Sequence, residues 1–275
     1  MNSIIHTRHL FPLLDKKLID LLRGLSAEEW NKRTLAKQWT VKDIASHLLD
    51  GNLKVISQMR DGYFGDPPGQ IDSHQDLVDY LNKLNADWVK ASKRLSPVVL
   101  TELLEITGKE YYEQLNKLDL FKPALYAVSW AGQTESPNWF HIAREYTEKW
   151  HHQQQIREAV ERPGIMTREF FYPLMDTFMQ ALPYTYKSIK ATDGTTIRVT
   201  VTSEMGGSWQ IACHANTWRF VQLGAEPDTH IVLHPDTAWK LFTNGLTTAD
   251  AEKSIQFTGN VSLGRPILSM LTVMA

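Results

Sequence analysis

Arg144 to Val160 reads REYTEKWHHQQQIREAV, a run free of proline and glycine that Pro163 and Gly164 close. With Trp139, Ile142 and Ala143 before it, the apolar positions Tyr146, Trp150, Ile156 and Val160 line one stripe at 100° per residue, which predicts a helix from about Asn138 to Arg162. On such a helix Glu148 and His152 lie about one turn apart and roughly 40° around the axis, so their side chains converge. Two ligands of a metal ion need that spacing. A third must come from another segment, and His47 is offered by a second helix with its own start signal.

That second helix begins after Thr40, with Asp43 three positions on, a capping box with Asp in place of Glu. Its stripe of Val41, Ile44, Ala45, Leu48, Val55, Ile56 and Met59 faces a core, and Asp61-Gly62 ends it. Leucines from Leu10 to Leu25 recur at three and four, predicting an earlier helix; further helices are expected from about Asp72 to Leu95 and from Pro97 to Leu118. Past Pro163 the texture changes. A helix over Arg168–Tyr186 is followed by short alternating runs at 195–202, 208–213, 218–223, 229–233 and 254–258, separated by turn pairs such as Asp193-Gly194 and Gly206-Gly207. Helices are expected at 236–242 and 263–271. The fold class is therefore α+β, a helical bundle over residues 1–162 followed by a small α+β domain with a mostly antiparallel sheet over 163–275.

Composition narrows the function. A net charge of −2 and a pI near 6.6 supply no electrostatic footprint for nucleic acid or for an anionic membrane. The single cysteine, Cys213, sits in an expected strand, which rules out an intramolecular disulfide framework and reads as a packed thiol in a reducing compartment. No apolar run has the length of a signal-peptide core or a membrane span, so a cytoplasmic protein is expected.

Around the long helix, His141, Glu145, Glu148, His152 and Ala159 share a flank without lysine or arginine, whereas a solvated face mixes both signs. Glu145 and His151 compete as ligands but point less well: Glu145 is two turns from His152, and His151 is turned about 100° from it. The flank borders the apolar stripe, so His47, Glu148 and His152 would form a rim open to substrate, three protein ligands with a vacant position. Two neutral imidazoles and a carboxylate suit a divalent ion, zinc best of all, although nickel, iron and manganese accept similar donors.

At these residues the chain resembles a known family. The segments LLRGLSAEEWNKRTLAKQWTVKDIASHLL (21–49), LNKLNADWVKASKRLS (81–96) and EKWHHQQQIREA (148–159) are similar to the maleylpyruvate isomerase family of mycothiol-dependent enzymes, within the wider DinB-like bundle superfamily. HPDTAWKLFTNG (234–245) and FTGNVSLGRPIL (257–268) resemble the sterol-carrier-like domain often appended to it. The resemblance implies a DinB-like four-helix bundle with His47, Glu148 and His152 as metal ligands. His151 stands where that family commonly has an apolar residue, and Gln155 where many members have Asp. It further implies a low-molecular-weight thiol such as mycothiol as cosubstrate, a small electrophile as its partner, and isomerisation or S-transfer as the reaction. A C-terminal arginine would contact substrate, with Arg198, Arg219 and Arg265 as candidates. Two other functions fit the same residues: a non-catalytic protein binding metal or a small apolar ligand, and a metal-dependent hydrolase. Arg157 reads as a structural ion-pair partner or an anion binder. A homodimer is left open, since an exposed bundle face and a dimer face look alike in sequence.

Overall fold

Thr40 caps its helix as the sequence requires: its hydroxyl accepts from the Asp43 amide, and the Asp43 carboxylate accepts from the Thr40 amide at 3.0 Å. The computed structural model in which this is seen describes residues 4–65, 69–224 and 226–273. It divides the chain into two units, one of residues 7–119 and 148–165, the other of residues 4–6, 120–147 and 166–273.

The first unit holds α1 (Phe11–Arg23), α2 (Val41–Asp61), α3 (His74–Ser92), α4 (Pro97–Asn116) and the C-terminal half of α5 (Asn138–Ala159). The starts of α2, α3 and α4 are capped by side chains. Ser73 and Asp76 form a second capping box, and Ser96 caps α4 ahead of Pro97, whose missing N–H costs nothing in a first turn. Gly62 ends α2 in the left-handed conformation with its N–H on Ser57 O. Leu18 and Leu22 of α1, Ile44 and Leu48 of α2, Leu100 and Leu104 of α4, Ile156 of α5 and Val160 just past its end share one core. Each such side chain contributes roughly 1.5–3 kcal/mol through burial.

The half of α5 in this unit departs from the amphipathic expectation. Lys149, His151, His152, Gln153, Gln154, Gln155 and Arg157 are all buried, along with Trp150 and Ile156. A helix buried around its circumference is normally apolar; here polar side chains do the packing and need partners. Lys149 Nζ reaches Asp15 of α1 at 2.8 Å and lies 4.5 Å from the centre of the Tyr111 ring. Gly108 makes room for that pair, since a Cβ there would lie 2.9 Å from Asp15 Oδ2. With its amide oriented by the network, Gln153 donates to Leu14 O and accepts from Leu18 N, bridging one rung of the α1 backbone. Arg157 donates to the carbonyls of Lys17, Arg162 and Pro163.

The second unit carries α6 (Arg168–Met179), α7 (Leu182–Thr185), β1 (Thr196–Val201), β2 (Gly207–His214), β3 (Thr217–Val221), β4 (Thr229–Leu233), α8 (Pro235–Phe242), α9 (Thr248–Glu252), β5 (Gln256–Gly259) and α10 (Val261–Gly264), followed by a 3-10 turn over Arg265–Ser269. The strands form one sheet in the order β3-β2-β1-β4-β5, antiparallel except for the β1–β4 pair. Ala215 and Asn216, both at positive φ, make the two-residue β2–β3 turn. Ile197, Val199, Val201, Ile231 and Leu233 point to the buried face. On that side Trp209 donates to Asp176 of α6 at 2.7 Å.

Two expected helices are corrected. The run from Arg168 to Tyr186 breaks after Met179, because the ring of Pro183 would clash with the Met179 carbonyl four residues back. Likewise the helix expected over 263–271 stops at Gly264, and Pro266 sets the tighter turn that follows. α9 went unpredicted although Thr247 and Asp250 mark its start. Among the described residues, no helix is long and apolar enough to cross a membrane.

Candidate metal centre

α2 and the C-terminal half of α5 place His47 beside His152, their ring centroids 4.7 Å apart and nearly perpendicular. Trp39, one residue before the α2 cap, packs against both, at 4.9 Å from the His47 ring and 6.3 Å from that of His152. The expected pair on α5 is also together. His152 Nε2 lies 3.7 Å from Glu148 Oε2, one turn back.

Gln155 decides which nitrogen of His152 is available. Its Oε1 lies 3.0 Å from Nδ1, and an amide oxygen can only accept, so Nδ1 carries the proton and the lone pair of Nε2 faces Glu148. Burial, reinforced by neighbouring His151, holds the His152 pKa well below its ordinary value, against the opposing pull of Gln155. Burial, then His152 and Lys54, does the same for His47. Both rings are neutral at pH 7, the state a metal ligand requires. The 3.7 Å contact with Glu148 is thus not an ion pair.

The structure also brings in His151, which the helical angle had set aside. Its ring centroid is 3.9 Å from that of His152, and Glu148, His151 and His152 each offer a ligand atom within 4.8 Å of the others'. Glu145, the other competitor, pairs with Arg144, which also lies 3.2 Å from His141 Nδ1. The flank that looked free of cations has one supplied by the neighbouring position. The expected rim is in part an interior: His47 and Glu148 are half-buried, whereas His151 and His152 are buried.

These residues fit a divalent ion. Among the described residues, Nδ1 of His47 is a buried nitrogen without a hydrogen-bond partner, which is costly unless something occupies it. Neutral imidazoles, a carboxylate, and an amide fixing the far nitrogen of one ring make up a donor set with its orienting partner.

The sequence of residues 11–157 matches the family described as mycothiol maleylpyruvate isomerase N-terminal domain. The chain belongs to this family. Among solved structures, it is similar to the crystal structure of the mycothiol-dependent maleylpyruvate isomerase, with a TM-score of 0.51, and to that of a histidine-to-alanine mutant of the same enzyme, with a TM-score of 0.55. In each case identity is 11%, with 94% of this chain and 93% of the other covered. At that identity the likeness is one of fold, and it spans the mixed α+β architecture of the family from bundle to sheet. No curated protein matches the sequence.

Other candidates resolve simply. Arg157 is held by backbone carbonyls and is structural. Cys213 is buried in β2 with its thiol 3.5 Å from Ala191 O, an ordinary packed cysteine. Arg198 binds Gln210 and Gly224 O, Arg265 pairs with Glu252, and Arg219 is exposed. Trp39 is half-buried against the bundle core, and its contact with His47 makes it a wall of the site as well.

Proposed function

We propose that this chain is a metal-dependent enzyme that activates a low-molecular-weight thiol for isomerisation or S-transfer, with His47, Glu148 and His152 as the ligands of a divalent ion, zinc by donor type. The observation that carries this reading is the meeting of two neutral imidazoles and a carboxylate from α2 and α5, in a chain of the mycothiol maleylpyruvate isomerase family. A divalent ion held there would supply the charge that lowers a thiol's pKa and makes a thiolate available near neutral pH.

The chain's own residues do the rest. Gln155 holds His152 in one tautomer. Burial keeps both rings unprotonated, and Trp39 shields His47 with an apolar face. With Cys213 buried in the sheet as a packed thiol, the nucleophilic sulfur is assigned to the cosubstrate. Addition of thiolate to an activated double bond, bond rotation and elimination would isomerise a cis alkene; addition or displacement without elimination would be S-transfer.

The test is a panel of biological thiols, mycothiol included, against cis-enoic acids and other electrophiles, each with and without a chelator. Turnover that needs both thiol and metal is expected. Metal-dependent cleavage of an electrophile by water without any thiol would instead place the protein among metal-dependent hydrolases.

A further inference from the structure

We infer that Gly51 of α2 is a specificity-determining residue: by leaving its position empty it keeps open the side of His47 from which a thiol reaches the ion, and so sets how wide a thiol the site takes. The inference rests on the metal and thiol reading above and adds to it a residue outside the ligand set. Gly51 stands at the middle of the 21 residues of α2, where glycine is among the least favourable residues. A glycine is needed inside a helix for a backbone angle that other residues avoid, or for a close approach by a neighbour. Neither holds here. Gly51 has no positive φ, and beyond its chain neighbours and its own helix backbone a Cβ built on it would meet no atom within 4 Å. Gly108 of α4 gives the contrast, since a Cβ there would lie 2.9 Å from Asp15 Oδ2. Gly62, Gly65 and Gly194 are as unhindered as Gly51, but they are exposed at a helix end or in loops, whereas Gly51 is half-buried.

The empty position adjoins the proposed ligand. Gly51 follows His47 by four residues, so the two share one face of α2, one turn apart and about 40° around the axis. Helical side chains lean toward the N-terminus and cover the turn before their own Cα, so a side chain at position 51 would lie over the turn that carries His47. Two sides of the His47 ring are already taken, by Trp39 at 4.9 Å and by His152 at 4.7 Å between centroids. The turn beside Gly51 stays uncovered, and His47 is only half-buried. Such room serves a thiol that carries a bulky group a few atoms from its sulfur; a minimal alkanethiol does not need it.

The full-length protein loaded with cobalt(II) gives the direct readout, because cobalt–thiolate charge-transfer absorption reports thiol binding without turnover. Mycothiol and glutathione serve as wide thiols and 2-mercaptoethanol as the narrow one. Gly51→Ala and Gly51→Leu should both keep the parent's cobalt affinity, and Gly51→Ala should unfold at a higher urea concentration than the parent, as an unhindered helical position requires. The ratio of wide-thiol to narrow-thiol affinity should fall roughly tenfold or more in Gly51→Leu and about threefold in Gly51→Ala, the range expected when added side-chain bulk crowds a ligand. Circular dichroism checks both folds, and Gly51→Ala carries the test if leucine impairs folding. An unchanged ratio in the folded variants, or a Gly51→Ala protein that loses cobalt or unfolds at lower urea than the parent, would overturn the inference and leave the metal and thiol reading standing. A parent that binds no cobalt, or that binds cobalt and gives no thiolate absorption with any of these thiols, would overturn that reading and this inference with it.

Discussion

His152 is the side chain on which the site turns, and Gln155 is what steers it. Replacing Gln155 with alanine removes the acceptor at Nδ1, so zinc affinity should fall about 10–100-fold with the fold intact; chelator competition measures it, and an unchanged affinity would deny Gln155 its role. Gln155→Glu should hold zinc at least as well as the parent, because a carboxylate in place of the amide strengthens the ligand's basicity. A second residue-scale prediction concerns Lys149 and Asp15, paired at 2.8 Å with side chains 10% and 20% exposed. Lys149→Met alone should destabilise the fold by leaving the half-buried Asp15 carboxylate unpaired, and Lys149→Met with Asp15→Asn should recover most of the loss. Denaturant unfolding of the parent, both single variants and the double variant gives the coupling. At this scale the sequence was partly legible. The proximity of His47 and Glu148 to His152 agrees with the spacing and the family resemblance. The convergence of His151 was hidden, because ideal helical angles describe Cβ directions and not the rotamers that bring two rings together.

Among elements, α2 was the most legible, since its capping box, stripe and terminal glycine are local signals. Thr40→Ala should therefore cost about 1 kcal/mol, and Thr40→Ser far less, by urea denaturation. α5 was half legible: its start was right and its end falls three residues short of Arg162, but polarity implied exposure, and the partners that let Lys149, Gln153 and Arg157 be buried come from distant segments. The sheet's strands were marked by alternation. Their order was not, because the β1–β4 pairing joins segments that nothing local connects. α6 offers a pH test at a carboxyl outside the ligand set. Burial raises the Asp176 pKa above its ordinary 3.8, with the Trp209 N–H pulling it back. A raised native pKa means that the folded state holds the proton more tightly than the unfolded chain, so this contribution to stability is present below pH 3.8 and lost as pH rises through the native value. Asp176→Asn keeps an acceptor for Trp209 without the charge. Its melting temperature should exceed the parent's at pH 7, and the gap should close toward pH 3.5.

For the whole molecule, fold outlasts sequence: at 11% identity the family architecture persists over 94% of the chain. Caps and stripes mark the bundle and alternation marks the sheet, which is why the α+β class could be read from residues alone. The reaction is less legible, because one set of donors can activate a thiol or a water, and spacing does not distinguish them. If the metal binds only the folded state, zinc at a hundred times its dissociation constant should raise unfolding free energy by about 2.7 kcal/mol, and this gain should shrink in Glu148→Ala. The claim on which the functional account stands is that α2 and α5 hold an ion through His152. Metal analysis of the purified parent and His152→Ala, both folded by circular dichroism, tests it most directly. One equivalent of divalent metal in the parent and a small fraction of that in the variant is the expected result; an undiminished equivalent in His152→Ala would contradict the assignment.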